Sequence, residues 1–152
     1  MPNPPHTHAV DRGVEALRRV FQAGFWVRHE SPLVLGPGKP PEPDLAVVVG
    51  ERRDFANRHP HAREAVLVVE VADTTLARDT GAKADRYARA GIEDYWVLDL
   101  NGRVLEVFRG PVVTKRVPRG RYRDRELLDI DEVIAPLAAS GANIAVRDLL
   151  PE

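Results

Sequence analysis

The sequence contains no cysteine. That excludes disulfide staples, Cys-ligated zinc, iron–sulfur clusters and a thiol nucleophile. Neither sign of charge dominates: 22 Lys and Arg stand against 23 Asp and Glu, a net charge of −1. A histone-like, broadly polycationic binder is excluded, whereas a local basic patch is not. Long apolar runs are missing too. The longest, Leu45–Val49 and residues 65–69, fall far short of a membrane span. The opening MPNPPHTHAV has no basic or apolar segment of a secretory signal, so a cytoplasmic protein with no membrane partner is expected. No Gly-rich phosphate loop is present, because GPGKPP lacks a strand before it and a helix after it. A GxSxG elbow is absent as well, and Ser31 and Ser140 have no evident triad partners.

What is there reads as an ordinary α/β domain. With 152 residues, 43% of them hydrophobic, the chain can build a sizeable core, and one domain over 1–152 is expected. Val10, Val14, Leu17, Val20 and Phe21 lie at helical steps, so a helix is predicted after Thr7 and His8, ending near Gly24. A strand is predicted over 26–35, with Val27, Leu33 and Leu35 on one face and Pro32 marking an edge or a bulge. The stretch GPGKPPEP is a loop. Two apolar strands follow, at 45–49 and 66–72, and neither alternates, so both belong mid-sheet, buried on two faces. Thr74 or Thr75 is predicted to cap a helix to Ala90, with Gly91 as its left-handed terminator. Asn101-Gly102 between 94–100 and 103–109 signals a two-residue hairpin. A strand at 112–117 and a terminal strand or helical turn at 144–150 complete the reading.

One residue is out of place. Glu70 sits inside VLVVEVA, a run that otherwise belongs in the core. A buried carboxylate must be paired, protonated or bound to a metal. One reading pairs it with Arg86 or Arg89 as a purely structural ion pair. Asp44 opens the other buried strand, as Pro43-Asp44-Leu45-Ala46-Val47. If the strands are neighbours, the two acids converge, and repulsion favours a shared proton or a cation between them. Hard oxygen ligands suit Mg2+ or Mn2+. Leu76, Asp79, Thr80, Lys83 and Tyr87 then share one helix face, which Leu76 and Tyr87 should turn toward the sheet. Acids plus a lysine can serve phosphodiester hydrolysis, although an Asp79–Lys83 surface pair is the plainer alternative.

PEPDLAVVV followed by VLVVEVADTTLARDTGAKADRYARAGIEDYWVLDLNGRVLEVFR resembles the Uma-two family of proposed restriction endonucleases, in the PD-(D/E)xK nuclease superfamily. The resemblance runs from about His8 onward and is densest from Pro43 to Arg109. It implies a restriction-endonuclease-like core: a mixed, curved β-sheet flanked by an N-terminal helix and a helix after the Glu70 strand. It implies a Mg2+- or Mn2+-dependent endonuclease acting on nucleic acid, with DNA the expected partner, and a homodimer. Asp44 and Glu70 would hold the metal, with the Val71 carbonyl as a further ligand. Ala72 stands where the simple superfamily motif has lysine, so Lys83 would supply that group from the helix, and Tyr87 would line the same face. Family members carry an N-terminal hairpin with a glutamate, roughly YELIDGEL. This sequence shows no counterpart, so one acid of the usual pocket is expected to be missing, and a second metal with it. His8 matches a histidine near the start of the family's first helix.

Two further features stay open. Residues 112–125 carry Lys115, Arg116, Arg119, Arg121, Arg123 and Arg125 against Asp124, a local +5. That stretch either contacts phosphates or is a solvated hairpin balanced by Glu126, Asp129, Asp131 and Glu132. His59 and His61 straddle Pro60 and make at most half a zinc site. The rivals to a nuclease are a non-catalytic nuclease fold that binds nucleic acid or protein, and a structural dimer module with a buried Glu70–Arg pair.

Overall fold

The computed structural model describes residues 3–152. Helix α1 spans Pro4–Val20 and so begins earlier than its apolar periodicity predicts. Asn3 is the reason: its side chain accepts a hydrogen bond from the His6 N–H at 3.0 Å. Pro4 and Pro5 occupy first-turn positions, where a missing N–H costs nothing. Strand β1 covers Phe25–His29. It stops well before residue 35 because Glu30 turns left-handed, at φ 47°, and residues 31–43 form a loop. Strand β2 is Leu45–Val49 and β3 is Ala65–Ala72.

After β3 the expected single helix is two. Helix α2 is Leu76–Thr80 and α3 is Ala82–Arg89, broken at Gly81 (φ −107°, ψ −104°). The Thr75 hydroxyl makes no cap and instead donates to the Asp79 carboxylate at 2.6 Å. Gly91 terminates α3 at φ +82°, as expected. Strands β4 (Asp94–Asp99) and β5 (Val104–Val112) form the hairpin, but the loop has four residues rather than two. Arg103, not Gly102, takes the positive φ, and Asp99 accepts the Gly102 N–H at 2.9 Å. β5 continues through Val112, so the strand expected at 112–117 is replaced by a loop ahead of β6 (Arg121–Leu128). A small ribbon of β7 (Val133–Ile134) and β8 (Ile144–Ala145) precedes α4 (Val146–Leu149). Residues 144–150 therefore provide both a strand and a helical turn.

The main sheet is open and mixed, in the order β1-β2-β3-β4-β5-β6. Only β3 and β4 run parallel, joined by the α2–α3 crossover; every other neighbouring pair is antiparallel. One face packs against α1 and α4 through Leu17, Leu45, Val69, Trp96 and Leu149. The other packs against α3 through Ala46, Val68, Tyr87, Tyr95 and Phe108. Asp94, the first residue of β4, is fully buried, and its charge is answered by Trp96 Nε1 (2.7 Å), Arg109 Nε (2.9 Å) and the Leu137 N–H (2.9 Å). Edge strand β6 is almost wholly exposed and alternates Arg with acids, a pattern that discourages edge-to-edge pairing.

Gly81 is needed where α2 meets α3. A Cβ there would stand 2.7 Å from the Ala77 carbonyl oxygen. Gly81→Ala is therefore expected to lower stability by about 1–3 kcal/mol. Urea titration measures this, and an unchanged midpoint would show that the break absorbs a methyl group.

Candidate active site

Register brings the two anomalous acids together. β2 and β3 are antiparallel neighbours with Leu45 opposite Val69 and Ala46 opposite Val68. Asp44, one residue before β2, therefore lies across from Glu70. The two residues interlock: the Asp44 N–H donates to Glu70 Oε1 at 2.9 Å, and the Val71 N–H donates to Asp44 Oδ2 at 2.7 Å. Val71 thus meets Asp44 through its amide.

Lys83 completes the cluster. Its Nζ lies 2.7 Å from Glu70 Oε2 and 3.1 Å from Asp79 Oδ1. Glu70 thus pairs with a lysine, and the expected alternative with Arg86 or Arg89 is not what forms; Arg86 reaches the Lys39 carbonyl instead. The Tyr87 hydroxyl donates to Glu70 Oε2 at 3.2 Å from beneath. Asp79 is buried, not a surface partner of Lys83, and its backbone carbonyl accepts from the Tyr95 hydroxyl at 2.6 Å. The break at Gly81 lets α2 present Asp79 and α3 present Lys83 to the same point.

Two participants were not foreseen. His6, not His8, reaches the site: His6 Nε2 lies 3.2 Å from Asp44 Oδ1, whereas His8 is exposed. His6 shares the face of Ala9, Val10, Gly13 and Leu17, and the α1 start at Pro4 brings it within reach. Glu30, at the end of β1, is the other. One ligand atom each from His6, Glu30 and Asp44 lies within 4.8 Å of the others. The acid expected to be missing therefore has a neighbour of like chemistry on a different element. No periodicity marks Glu30, because it follows the strand at a left-handed residue. Asn3 ties the start of α1 to the site through Asp73, which also accepts from Asn101 Nδ2 at 3.1 Å.

Of these groups, His6, Asp44, Glu70, Asp79 and Lys83 line one hollow of about 450 Å³. The hollow is acidic, and its charges shape one another. Burial, reinforced by the Asp44 charge, raises the Glu70 carboxyl to about 7 in spite of Lys83. Burial pulls the Lys83 ammonium down, but Glu70 and Asp79 outweigh it and hold it above its ordinary value. Burial and the Glu70 charge push the Tyr87 hydroxyl up, so it stays a donor. With Asp44, Glu70 and Asp79 facing one ammonium, the donor set is short of positive charge, and its oxygens fit a hard divalent cation. The other candidates lie elsewhere. His59 is exposed on the 51–64 connection, and His61 bridges to Val34. In the basic stretch, Arg125 pairs with Glu106 and Arg123 with Asp124, while Lys115, Arg116, Arg119 and Arg121 are exposed.

The folded Glu70 carboxyl holds a proton that the unfolded chain releases near 4.5. Its contribution to stability therefore falls as pH rises from about 4.5 to about 7. Glu70→Gln cannot ionise and escapes that loss. In chelator, the variant is expected to gain on the wild type by on the order of 1–3 kcal/mol between pH 5 and pH 8. Calorimetry at the two pH values measures it. A variant that instead falls behind as pH rises would show that the Lys83 ion pair outweighs burial.

The chain resembles a crystal structure titled a "putative nuclease belonging to DUF820" from Anabaena variabilis ATCC 29413. The TM-score is 0.72 at 19% identity, over 98% of this chain and 82% of that one. This likeness establishes the fold: an open mixed sheet flanked by helices, shared with a nuclease-like protein. No curated protein matches the chain. Among the described residues no helix is long and apolar enough to cross a membrane. The Uma2 family model, described as "Putative restriction endonuclease", matches residues 1–147, and the chain belongs to that family.

Proposed function

We propose that this protein is a Mg2+- or Mn2+-dependent phosphodiester hydrolase, an endonuclease of the PD-(D/E)xK type acting on DNA. The observation that carries the proposal is the Asp44–Glu70 interlock with Lys83 Nζ 2.7 Å from Glu70, at the floor of one open hollow. Asp44 and Glu70 would hold the cation, with the Val71 carbonyl, His6 and Glu30 beside them. When bound, a divalent cation supplies polarisation of the phosphate and lowers the pKa of an attacking water.

The protein's own groups do the rest. Lys83 is charged and held from two sides, so its ammonium is positioned before the reaction and can offset negative charge that appears only as the phosphorane forms. Tyr87 fixes the orientation of the Glu70 carboxylate by donating to Oε2. Asp79, steadied by Thr75, restrains Lys83 from the opposite side. A homodimer, placing one hollow on each strand of a duplex, belongs to the same reading, and sedimentation with and without duplex DNA checks it.

Lys83→Ala is expected to fold, to keep Mn2+ binding through Asp44 and Glu70, and to lose cleavage by about 10²–10³-fold. Asp44→Asn is expected to lose both. Mn2+ calorimetry run beside plasmid and single-strand cleavage reads the two effects. Cleavage by Lys83→Ala at the wild-type rate would remove Lys83 from the chemistry. A wild type that binds Mn2+ and cuts neither substrate would favour a binding protein built on the nuclease fold.

A further inference from the structure

Arg28 is an arginine that nothing in the site uses. It lies on edge strand β1, is 7% exposed, and its Nε is buried without a hydrogen-bond partner. Nη1 donates to the Pro32 carbonyl at 2.8 Å. Among the described residues no carboxylate lies within ion-pairing distance of it. Burial lowers its guanidinium below the ordinary arginine value. A buried cation without a counter-ion is costly, and proteins pair such charges or keep them for an anionic ligand.

Its position relates it to the hollow. Arg28 pairs with Ala46, which packs with Ala72 and Tyr87 on the α3 face of the sheet. Asp44 is two residues before Ala46, so it has the same parity and opens on the same face. The strand rise of about 3.3 Å per residue sets the Arg28 register about 7 Å from Asp44 along the strand direction. The guanidinium also stacks on Trp26, 4.8 Å from the ring centroid. Trp26 in turn stacks on Phe55 at 5.7 Å, within a segment that also carries exposed Arg52 and Arg53. A guanidinium backed by an indole and fixed by a carbonyl is preorganised to take a phosphate.

We infer that Arg28 is the phosphate-binding residue of a nucleic-acid track along the β1 edge, which leads the strand to the Asp44–Glu70 hollow. The inference rests on the phosphodiesterase reading for its destination, whereas the binding itself needs no metal. Trp26 and Phe55 back the guanidinium, and Arg52 and Arg53 extend positive charge along the same edge. The exposed arginines of the β5–β6 loop lie at the far side of the sheet and are not part of the track.

The test is binding of a short fluorescent single-stranded oligodeoxynucleotide to the full chain in chelator, followed by anisotropy across a salt series. Arg28→Met keeps the stem over Trp26 and removes the charge. It is expected to bind about ten-fold more weakly, with a salt slope shallower by roughly one phosphate contact. Arg28→Lys is expected to recover the slope, and Arg116→Ala to change neither quantity. Trp96 is fully buried, so emission changes report Trp26; quenching by the oligonucleotide is expected in the wild type and lost in Trp26→Phe. Wild-type affinity and slope in Arg28→Met would overturn the inference. Unchanged Trp26 emission on a bound wild type would do so even if Arg28→Met fails to fold. Inorganic phosphate binding as tightly as the oligonucleotide would assign Arg28 to a free anion and also overturn the track. A Mn2+ titration of the same wild-type sample separates the two readings. Bound Mn2+ with an indifferent Arg28 defeats the track alone, and absent Mn2+ binding defeats the hydrolase.

Discussion

A carboxylate in the middle of a sheet is the constraint around which this molecule is arranged. Glu70 is 2% exposed on a strand buried on both faces. The surrounding protein supplies it with a backbone N–H from Asp44, an ammonium from Lys83 and a hydroxyl from Tyr87. One donor precedes β2 and the other two sit one turn apart on α3, so β2, β3 and α3 must all be in place for the charge to be tolerated. Even so, burial and Asp44 together outweigh Lys83 and hold the carboxyl above its ordinary value. Asp94 makes the contrast. It is buried as deeply, but an arginine, an indole N–H and a backbone N–H surround it. Asp94 is a completed structural network. Glu70 is a network left short of positive charge at an opening, which is how a fold keeps a place for a cation or substrate.

The parts of the site legible in the sequence were those that violated a pattern. Glu70 interrupts an apolar run, and Asp44 opens another, so both stand out without any structure. Lys83 and Tyr87 could be placed because helical spacing fixes faces, and the face containing Leu76 and Tyr87 had to look inward. That argument survived the break at Gly81, since the break reorients α3 without changing which of its residues share a side. The same argument turns Asp79 inward, against the plainer surface pair with Lys83, and Asp79 is indeed buried.

The misses have physical causes of their own. His8 stands out through its match to the family's helix-start histidine, whereas nothing local marks His6. An Asn cap and two prolines extend α1 by a turn, and moving two positions along a helix turns a side chain by about 200°. Glu30 leaves no periodic trace, since a left-handed residue at a strand end belongs to neither face. Arg28 occupies the parity of β1 opposite to Val27, where a charge ordinarily means solvent. It is buried because the loop after β1 folds over that face and offers the Pro32 carbonyl. Loop coverage is a tertiary fact, and no local pattern carries it. The hairpin at Asn101-Gly102 shows a milder form: the turn residues were right about where the chain reverses, but Arg103 rather than Gly102 adopts the left-handed conformation once Asp99 takes the Gly102 N–H.

The two cationic features of the chain also differ in kind. The stretch from residue 112 to 125 concentrates charge in sequence, but it is largely exposed, its β6 arginines Arg123 and Arg125 pair with Asp124 and Glu106, and it lies at the β6 edge. Solvent screens such charges strongly. Arg28 is a single charge and inconspicuous in the sequence, but it is buried, has no carboxylate partner among the described residues and lies over an indole. A phosphate meeting it would gain an interaction that water has already given up, whereas one meeting the loop would first displace water. Desolvation, unlike charge density, can also fix where a strand lies relative to the Asp44–Glu70 hollow. An interaction set by a buried, planar group has one geometry, while a flexible exposed arginine accepts many. The same economy appears at Lys83, where two acids hold one ammonium in place. In both cases it is the constraint on a charge, more than its presence, that sets the residue apart from the exposed arginines.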